Sequence, residues 1–215
     1  MRLVWLTAAL VMCSGGCTSV QDERFRLYSE DGLSLYQHGN FRDARDSFQA
    51  ALSLKPDDPV LIYNLGECYD QLGDSAQAEK LYRDCLQRAP NQVACRHALA
   101  LLLQRTQRLP EAGQMIEDWL ARQPGLAAAY AEHGWYLHQV GDLPRAQGRL
   151  HQALALDPHD VRALTEMALI YEAMQRPDRA VVLYERALER DPTQTELSKR
   201  INYLLASGAG RPRPE

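Results

Sequence analysis

The chain has 215 residues, of which 46% are apolar and 24% are charged, and its 24 Lys and Arg against 28 Asp and Glu give a net charge of −4. This composition excludes collagen-like, disordered and polytopic membrane chains. No basic block occurs, whereas a non-specific nucleic-acid binder needs a stripe of Lys and Arg to neutralise phosphates. We therefore expect no nucleic-acid partner.

The first sixteen residues, 1–16, have the pattern of a secretory signal peptide. Arg2 supplies a positive charge, the run 3–12 contains Thr7 as its one polar residue, and small residues precede Cys17. The run is shorter than the roughly 20 apolar residues of a transmembrane helix. We therefore expect the segment to be cleaved rather than to stay in a membrane.

The Ser-Gly-Gly-Cys end of this segment resembles the lipobox of bacterial lipoproteins, although Ser14 stands where that motif usually has Leu. The resemblance implies that Cys17 is acylated and that residues 17–24 form a short linker to the membrane. No Asp follows the cysteine, which by resemblance to enterobacterial sorting rules favours the outer membrane over the inner. The alternative is an ordinary cleaved signal that leaves a soluble periplasmic protein.

The rest of the chain repeats with a period of 34 residues. A proline, an alanine and a small residue each recur five times at this spacing. These positions are Pro56, Pro90, Pro124, Pro158 and Pro192; Ala44, Ala78, Ala112, Ala146 and Ala180; and Gly32, Gly66, Ala100, Gly134 and Ala168. A fixed period of this length is typical of repeat architectures, in which each repeat is one supersecondary unit.

This register resembles the tetratricopeptide repeat (TPR), whose pattern includes Leu-Gly, Tyr, a small Ala, an aromatic residue and a closing Pro. The repeat with Gly66, Ala78 and Tyr82 shows the pattern best. The resemblance implies an all-α fold, a right-handed superhelical α-solenoid of five helix hairpins followed by a capping helix. The five repeats are 25–58, 59–92, 93–126, 127–160 and 161–194.

The third repeat departs from the pattern at two positions. Trp119 stands where a small Ala usually packs, and Gln107 replaces the glycine of the turn between the two helices. We expect the indole of Trp119 to lie in the core.

The residues after the last repeat predict a capping helix over 195–206. Thr193 and Glu196 form a capping-box pattern, which typically starts a helix. Apolar residues recur on one helical face, and these are Leu197, Ile201, Leu204 and Leu205. Terminal repeats need such a helix to present a polar outer surface. The Gly- and Pro-rich tail 207–215 is expected to be disordered.

The sequence contains no motif that indicates catalysis, metal binding or a cofactor. HExxH, a Gly-rich phosphate loop, a GxSxG elbow and CxxC are all missing, and no two histidines stand four residues apart. We therefore predict a protein that is not an enzyme.

In TPR proteins, ligands lie in a concave groove lined by the first helix of each repeat. The inward positions of those helices predict a protein-binding groove that presents Tyr36, Tyr63, His97, Leu101, Trp135, His138 and Leu169. We expect Trp135 to be exposed, because Ala128 and Ala131 leave space around it. The Lys and Asn clamp by which some TPR domains hold chaperone C-termini is absent. Aromatic hot spots among polar neighbours suit an extended peptide or an amphipathic helix.

Three cysteines, Cys68, Cys85 and Cys95, follow Cys17. TPR geometry implies that Cys85, late in one second helix, approaches Cys95, early in the next first helix. A disulfide between them is chemically allowed in the oxidising envelope. The alternative is that each cysteine is a small buried residue standing in for Ala.

Together these features predict a lipid-anchored, non-enzymatic scaffold or adaptor that binds an envelope protein or peptide. Small TPR lipoproteins of this build include pilotins of type IV pili, assembly factors of Tad pili and adaptors of periplasmic peptidases, so the resemblance implies pilus or secretion-system assembly. Two alternatives stay open. One is a self-associating structural envelope protein, whose groove takes the capping helix or tail of a neighbour. The other is a soluble periplasmic TPR protein.

Overall fold

The computed structural model describes residues 16–208, and this part of the chain contains eleven α-helices and no β-strand. The helices are α1 (Gly16–Gln37), α2 (Phe41–Leu54), α3 (Pro59–Gln71), α4 (Ser75–Arg88), α5 (Val93–Arg105), α6 (Leu109–Arg122), α7 (Ala127–Gln139), α8 (Leu143–Leu156), α9 (Val161–Ala173), α10 (Pro177–Arg190) and α11 (Thr195–Ala206).

The chain divides into two compact units, and the boundary falls inside α5, between Leu99 and Ala100. In the first unit, α1 packs on α2, α2 on α3, and α3 on α4. In the second unit, α7 pairs with α8 and α9 with α10, α6 and α8 pack on the helices that follow them, and α11 covers α10. Each unit is therefore built from antiparallel helix hairpins.

Close approach of the two helices in a hairpin explains the repeated small residues. The five alanines of the 34-residue register are fully buried. An added Cβ on Gly32 would lie 2.7 Å from the Phe48 ring, and one on Gly66 would lie 2.6 Å from the Tyr82 ring. These distances are shorter than van der Waals contact, so the glycines let a large side chain of the second helix lie against the backbone of the first.

The turns inside the hairpins all use a residue with positive φ at the same place in the register. Gly39, Gly73 and Gly141 have φ of +79°, +84° and +85°, and Gln107 and Gln175 have φ of +61° and +59°. Glycine adopts this conformation without penalty, whereas a residue with a Cβ loses about 1–2 kcal/mol. The repeat geometry is therefore strong enough to hold two glutamines in a backbone conformation that suits glycine.

Aspartates begin several of the helices. The Asp58 carboxylate accepts hydrogen bonds from the backbone N–H groups of Val60 and Leu61, and Asp160 accepts one from Ala163. Such caps satisfy N–H groups that have no partner inside the helix.

The capping box predicted at the start of the last helix is wrong. The helix begins at Thr195 behind Gln194, which makes no side-chain cap. The Thr193 hydroxyl instead donates to the Asp191 carboxylate over 2.6 Å. The Asp191 carboxylate is a charged and therefore strong acceptor only two residues away. The Thr193 hydroxyl bonds to it in the turn and does not cap the helix.

The capping segment itself is helical over Thr195–Ala206 and packs on the last hairpin. Its buried residues join one core cluster with Leu164 and Tyr184 of the second unit. The residues that α11 contributes to the cluster are Leu197, Ile201 and Leu204. The helix therefore covers an apolar surface that the fifth repeat would otherwise expose.

The predicted linker is also helical, because α1 begins at Gly16 and runs without interruption through 17–24. No Gly or Pro occurs in 17–24, so no helix-breaking residue separates these residues from the rest of α1. The signal peptide, apart from its last residue, and the tail from 209 onward lie outside the described residues.

Candidate protein-binding surface

The seven residues predicted to line a groove are divided between the two units. Tyr36, Tyr63 and His97 belong to the first unit. Leu101, Trp135, His138 and Leu169 belong to the second unit. They differ in exposure, since Leu101 is exposed, Trp135 is buried and the other five are half-buried.

In the first unit, Tyr36 and Tyr63 line the same cavity, of about 210 Å³. Tyr36 lies on α1, whereas Tyr63 and Glu67 lie one turn apart on α3. The complete lining is Leu33, Tyr36, Phe48, Tyr63, Asn64 and Glu67. The cavity therefore opens on the first helices of two successive repeats and combines aromatic rings with one carboxylate.

The Glu67 carboxylate accepts hydrogen bonds from two phenol groups, that of Tyr36 in the cavity wall and that of Tyr82 in the core. The Tyr82 hydroxyl donates to its Oε1 over 2.5 Å, and the Tyr36 hydroxyl donates to its Oε2 over 3.3 Å. Tyr82 is fully buried, so its hydroxyl needs an acceptor inside the protein. Glu67 provides that acceptor from the first helix of the same repeat.

Burial and the charge of Glu67 keep the phenols of Tyr36 and Tyr63 protonated. Burial first, and then the nearby Glu67 carboxylate, raises the pKa of Tyr63 to about 12, and the same causes in the same order raise the pKa of Tyr36 above its usual value. The Cys68 thiol behaves alike, since burial and Glu67 raise its pKa to about 12. At neutral pH the cavity therefore presents neutral aromatic rings around an acidic side chain.

Trp135 is not the exposed hot spot that the sequence predicted, because it is only 3% exposed. A helical side chain leans towards the preceding turn of its own helix, where Ala131 lies. The space left by small neighbours, which we expected to expose the indole, allows it to pack down and lose its contact with water. Burial of so large an apolar surface is favourable. The indole therefore belongs to the core.

Two pairs of polar side chains on α7 and α9 are in contact within the second unit. Arg162 Nε lies 2.5 Å from Oε1 of Glu132, which is fully buried, and His138 Nδ1 lies 3.2 Å from Glu166 Oε2. The sequence placed His138 in a groove but did not single out Glu132 or Glu166. Their 34-residue spacing was the available signal. The buried carboxylate of Glu132 therefore has a basic partner, Arg162, within the same unit.

Cys85 and Cys95, for which the sequence left both a disulfide and separate buried thiols open, form a disulfide in the structure. It joins α4 to the first part of α5 within the first unit, and both residues are buried. Cys68 remains a buried free thiol.

Among residues 16–208, no group of three or more His, Cys, Asp and Glu side chains has the arrangement of a metal site. In the same range, no helix has both the length and the apolar character needed to cross a membrane.

Comparison with known proteins identifies the family. Two sequence profiles of the tetratricopeptide repeat match residues 30–93 and 137–205, which together make up more than half of the chain. The chain belongs to the tetratricopeptide repeat family. The all-α TPR fold predicted from the 34-residue register is therefore confirmed. TPR proteins are generally scaffolds for protein or peptide partners, and their fold is typically non-catalytic.

Among solved structures, a thermophilic TPR protein from Thermus thermophilus is 26% identical, with a TM-score of 0.66 over 86% of this chain and 99% of that one. Among curated proteins, a TPR repeat-containing protein from Pseudomonas aeruginosa is 30% identical over 66% of this chain. The protein O-mannosyl-transferase TMTC3 of Homo sapiens is 25% identical over 91% of this chain. The chain spans only 24% and 23% of the length of those two curated relatives.

Proposed function

We propose that this TPR protein is a non-enzymatic adaptor of the bacterial cell envelope, anchored by a lipid on Cys17 and facing the periplasm. It binds an extended peptide or an amphipathic helix of an envelope protein through the first helices of its repeats. The anchor favours the outer membrane, and the process served is pilus or secretion-system assembly.

The observation that carries the binding proposal is the surface around the cavity of the first unit. We call this surface the binding face and define it by Leu33, Tyr36, Val60, Tyr63 and Glu67. Leu33 and Val60 are 48% and 52% exposed beside the half-buried tyrosines. On α3 the spacing i, i+3, i+7 places Val60, Tyr63 and Glu67 on one side of the helix. Exposed apolar side chains around tyrosines are typical of sites that bind proteins.

The location is supported by the sequence of residues 1–17. A short apolar run, small residues and a cysteine occur there in the order of a lipoprotein signal. The disulfide between Cys85 and Cys95 agrees with an oxidising compartment, since such bonds are rare in the cytosol.

Capture from crosslinked native envelopes tests the binding face. The variant Leu33→Glu/Val60→Glu places two charges on it, and the matched control Leu156→Glu/Val182→Glu places two charges on exposed apolar positions of second helices. We expect one envelope protein to be recovered with the wild type and the control and to be lost with the binding-face variant. Recovery of the same proteins with all three would assign binding to another surface, and recovery of the bait alone would favour self-association.

Fractionation of the same cells tests the anchor. We expect Cys17→Ser to move the protein from the membrane fraction to the periplasmic extract, whereas Cys13→Ser leaves it in the membrane fraction. A Cys17→Ser protein that stays with the membrane would contradict lipidation at this residue.

A further inference from the structure

We propose that the cavity of the binding face takes the side chain of an arginine or lysine in the partner, and that Glu67 is the group that selects it. This inference rests on the proposed function, since it names the chemistry recognised at that same surface. It follows from the charge of Glu67, from its place in the repeat and from a second carboxylate in this chain that serves as an internal comparison.

The negative charge of Glu67 is not matched by a basic side chain among the described residues. Its hydrogen-bond partners there are two neutral phenols, those of Tyr36 and Tyr82. A carboxylate has about four acceptor positions, so both oxygens can take further donors. A partly buried carboxylate is best stabilised by a charged donor that reaches it.

The repeat fold does not require a charge at this position. Glu67 occupies the ninth place of its first helix, and the other four repeats have apolar residues there. Those residues are Leu33, Leu101, Trp135 and Leu169. The buried Tyr82 hydroxyl needs an acceptor, and an amide oxygen can supply one, although a carboxylate is the stronger acceptor and offers its second oxygen to Tyr36. The acceptor role therefore explains a polar residue at this place and does not by itself require a charge.

The fifth repeat shows how this chain completes a similar arrangement. There the Tyr184 hydroxyl donates to Glu172 Oε1 over 2.7 Å, as Tyr82 donates to Glu67. Arg200, from the capping helix, donates to both oxygens of Glu172, with Nε 3.0 Å from each and Nη2 2.6 Å from Oε2. Glu172 thus accepts hydrogen bonds from a buried tyrosine hydroxyl and from a guanidinium at the same time. Within residues 16–208, Glu67 has the phenols but no such guanidinium.

The rest of the cavity suits a single cationic side chain. The rings of Tyr36 and Tyr63 belong to its wall, and aromatic faces attract Lys and Arg cations. Its volume of about 210 Å³ is below the roughly 300–1,000 Å³ of clefts that hold drug-sized ligands. Leu33 adds an apolar surface on which the methylene stem of Lys or Arg can pack.

Titration with short peptides tests the selection. The probes are acetyl-Gly-Ser-X-Ser-Gly-amide peptides in which X is Arg, Lys, Gln or Glu, and binding is followed by NMR shifts of the tyrosine ring protons. We expect the Arg and Lys peptides to bind wild-type protein with Kd values lower than that of the Gln peptide by about tenfold or more. Equal binding of the Arg and Gln peptides would overturn the proposal.

The variant Glu67→Gln assigns the selection to its residue. It keeps an acceptor for Tyr82 while removing the charge, and Glu30→Gln removes a charge from an exposed position of α1 as the matched control. We expect Glu67→Gln to bind the Arg and Gln peptides equally and Glu30→Gln to behave as wild type. The wild-type comparison of Arg with Gln does not depend on the stability of any variant.

The two proposals fail differently. If capture from envelopes depends on Leu33 and Val60 but Glu67→Gln retrieves as much partner as the wild type does, this inference is wrong and the proposed function stands. If capture does not depend on the binding face at all, the proposed function fails first.

Discussion

At the scale of single residues, His133 is a buried titratable group without a hydrogen-bond partner. It is 3% exposed, neither ring nitrogen has a hydrogen-bond partner, and its ring stacks on Tyr136. Burial, and then the charges of Arg149 and Arg145, lower the pKa of His133 below its usual 6.5, while Glu117, 3.8 Å from Nε2, opposes them. The folded protein therefore holds this imidazole in its neutral form.

This makes the stability of the protein dependent on pH. Below about pH 6.5 the unfolded chain binds a proton at His133 that the folded chain does not, so the free energy of unfolding decreases as the pH falls. We expect the wild type to lose more of its free energy of unfolding than His133→Phe loses between about pH 7.5 and pH 5. Urea unfolding at both pH values measures the difference.

His151→Gln, at an exposed position, provides the control for the effect of removing a histidine as such. If His133→Phe shows the same pH dependence as the wild type, the histidine is not neutral in the folded state. The other histidines are common to both proteins and cancel in the comparison.

At the scale of elements, the capping helix α11 matters through its buried side. Ile201 is 7% exposed and packs into the core cluster of the last hairpin, whereas Tyr203 on the same helix is 65% exposed. We expect Ile201→Ala to lower the free energy of unfolding by about 2–4 kcal/mol, because it removes buried methyl groups and leaves a cavity. Tyr203→Ala should change it by less than about 0.5 kcal/mol. Chemical denaturation measures both, and equal effects would contradict the packing.

At the scale of the whole molecule, the disulfide of the first unit makes stability depend on redox conditions. In protein that begins at residue 18, a thiol assay in denaturant without reductant should find one free thiol, that of Cys68, among its three cysteines. Reduction should lower the free energy of unfolding by about 2–3 kcal/mol, because it releases a constraint on the unfolded chain. The variant Cys85→Ala/Cys95→Ala should not respond to reductant. Three free thiols would show that the bond does not form.

The fold was predictable because its steric requirements restrict which residue can occupy particular single positions. Where two helix backbones meet, a larger residue collides, so Gly66 and the buried alanines must recur at the repeat length. The closing prolines also recur at the repeat length, because a proline cannot continue the helix that precedes it. These constraints act on one residue at a time and therefore appear in the sequence.

The binding face was predictable only in part, because its details depend on pairs of residues. Helical spacing placed Tyr36 and Tyr63 on first helices, but it did not indicate that both would line a cavity with Glu67. The buried Tyr82 hydroxyl lies on one helix and its acceptor, Glu67, lies on another, so the contact depends on how the two helices pack. The prediction that Trp135 is exposed was wrong, because small neighbours that leave space around a side chain also allow it to be buried.

The burial of Trp135 gives the second unit an optical signal of its own. Trp119 and Trp135 both lie in that unit, and residues 16–99 contain tyrosines but no tryptophan. Both indoles are shielded from water, so their emission shifts to longer wavelength when the second unit unfolds. Circular dichroism reports on the helices of both units. Selective excitation of indole, compared with the dichroism signal, therefore distinguishes one cooperative transition from two without any added dye.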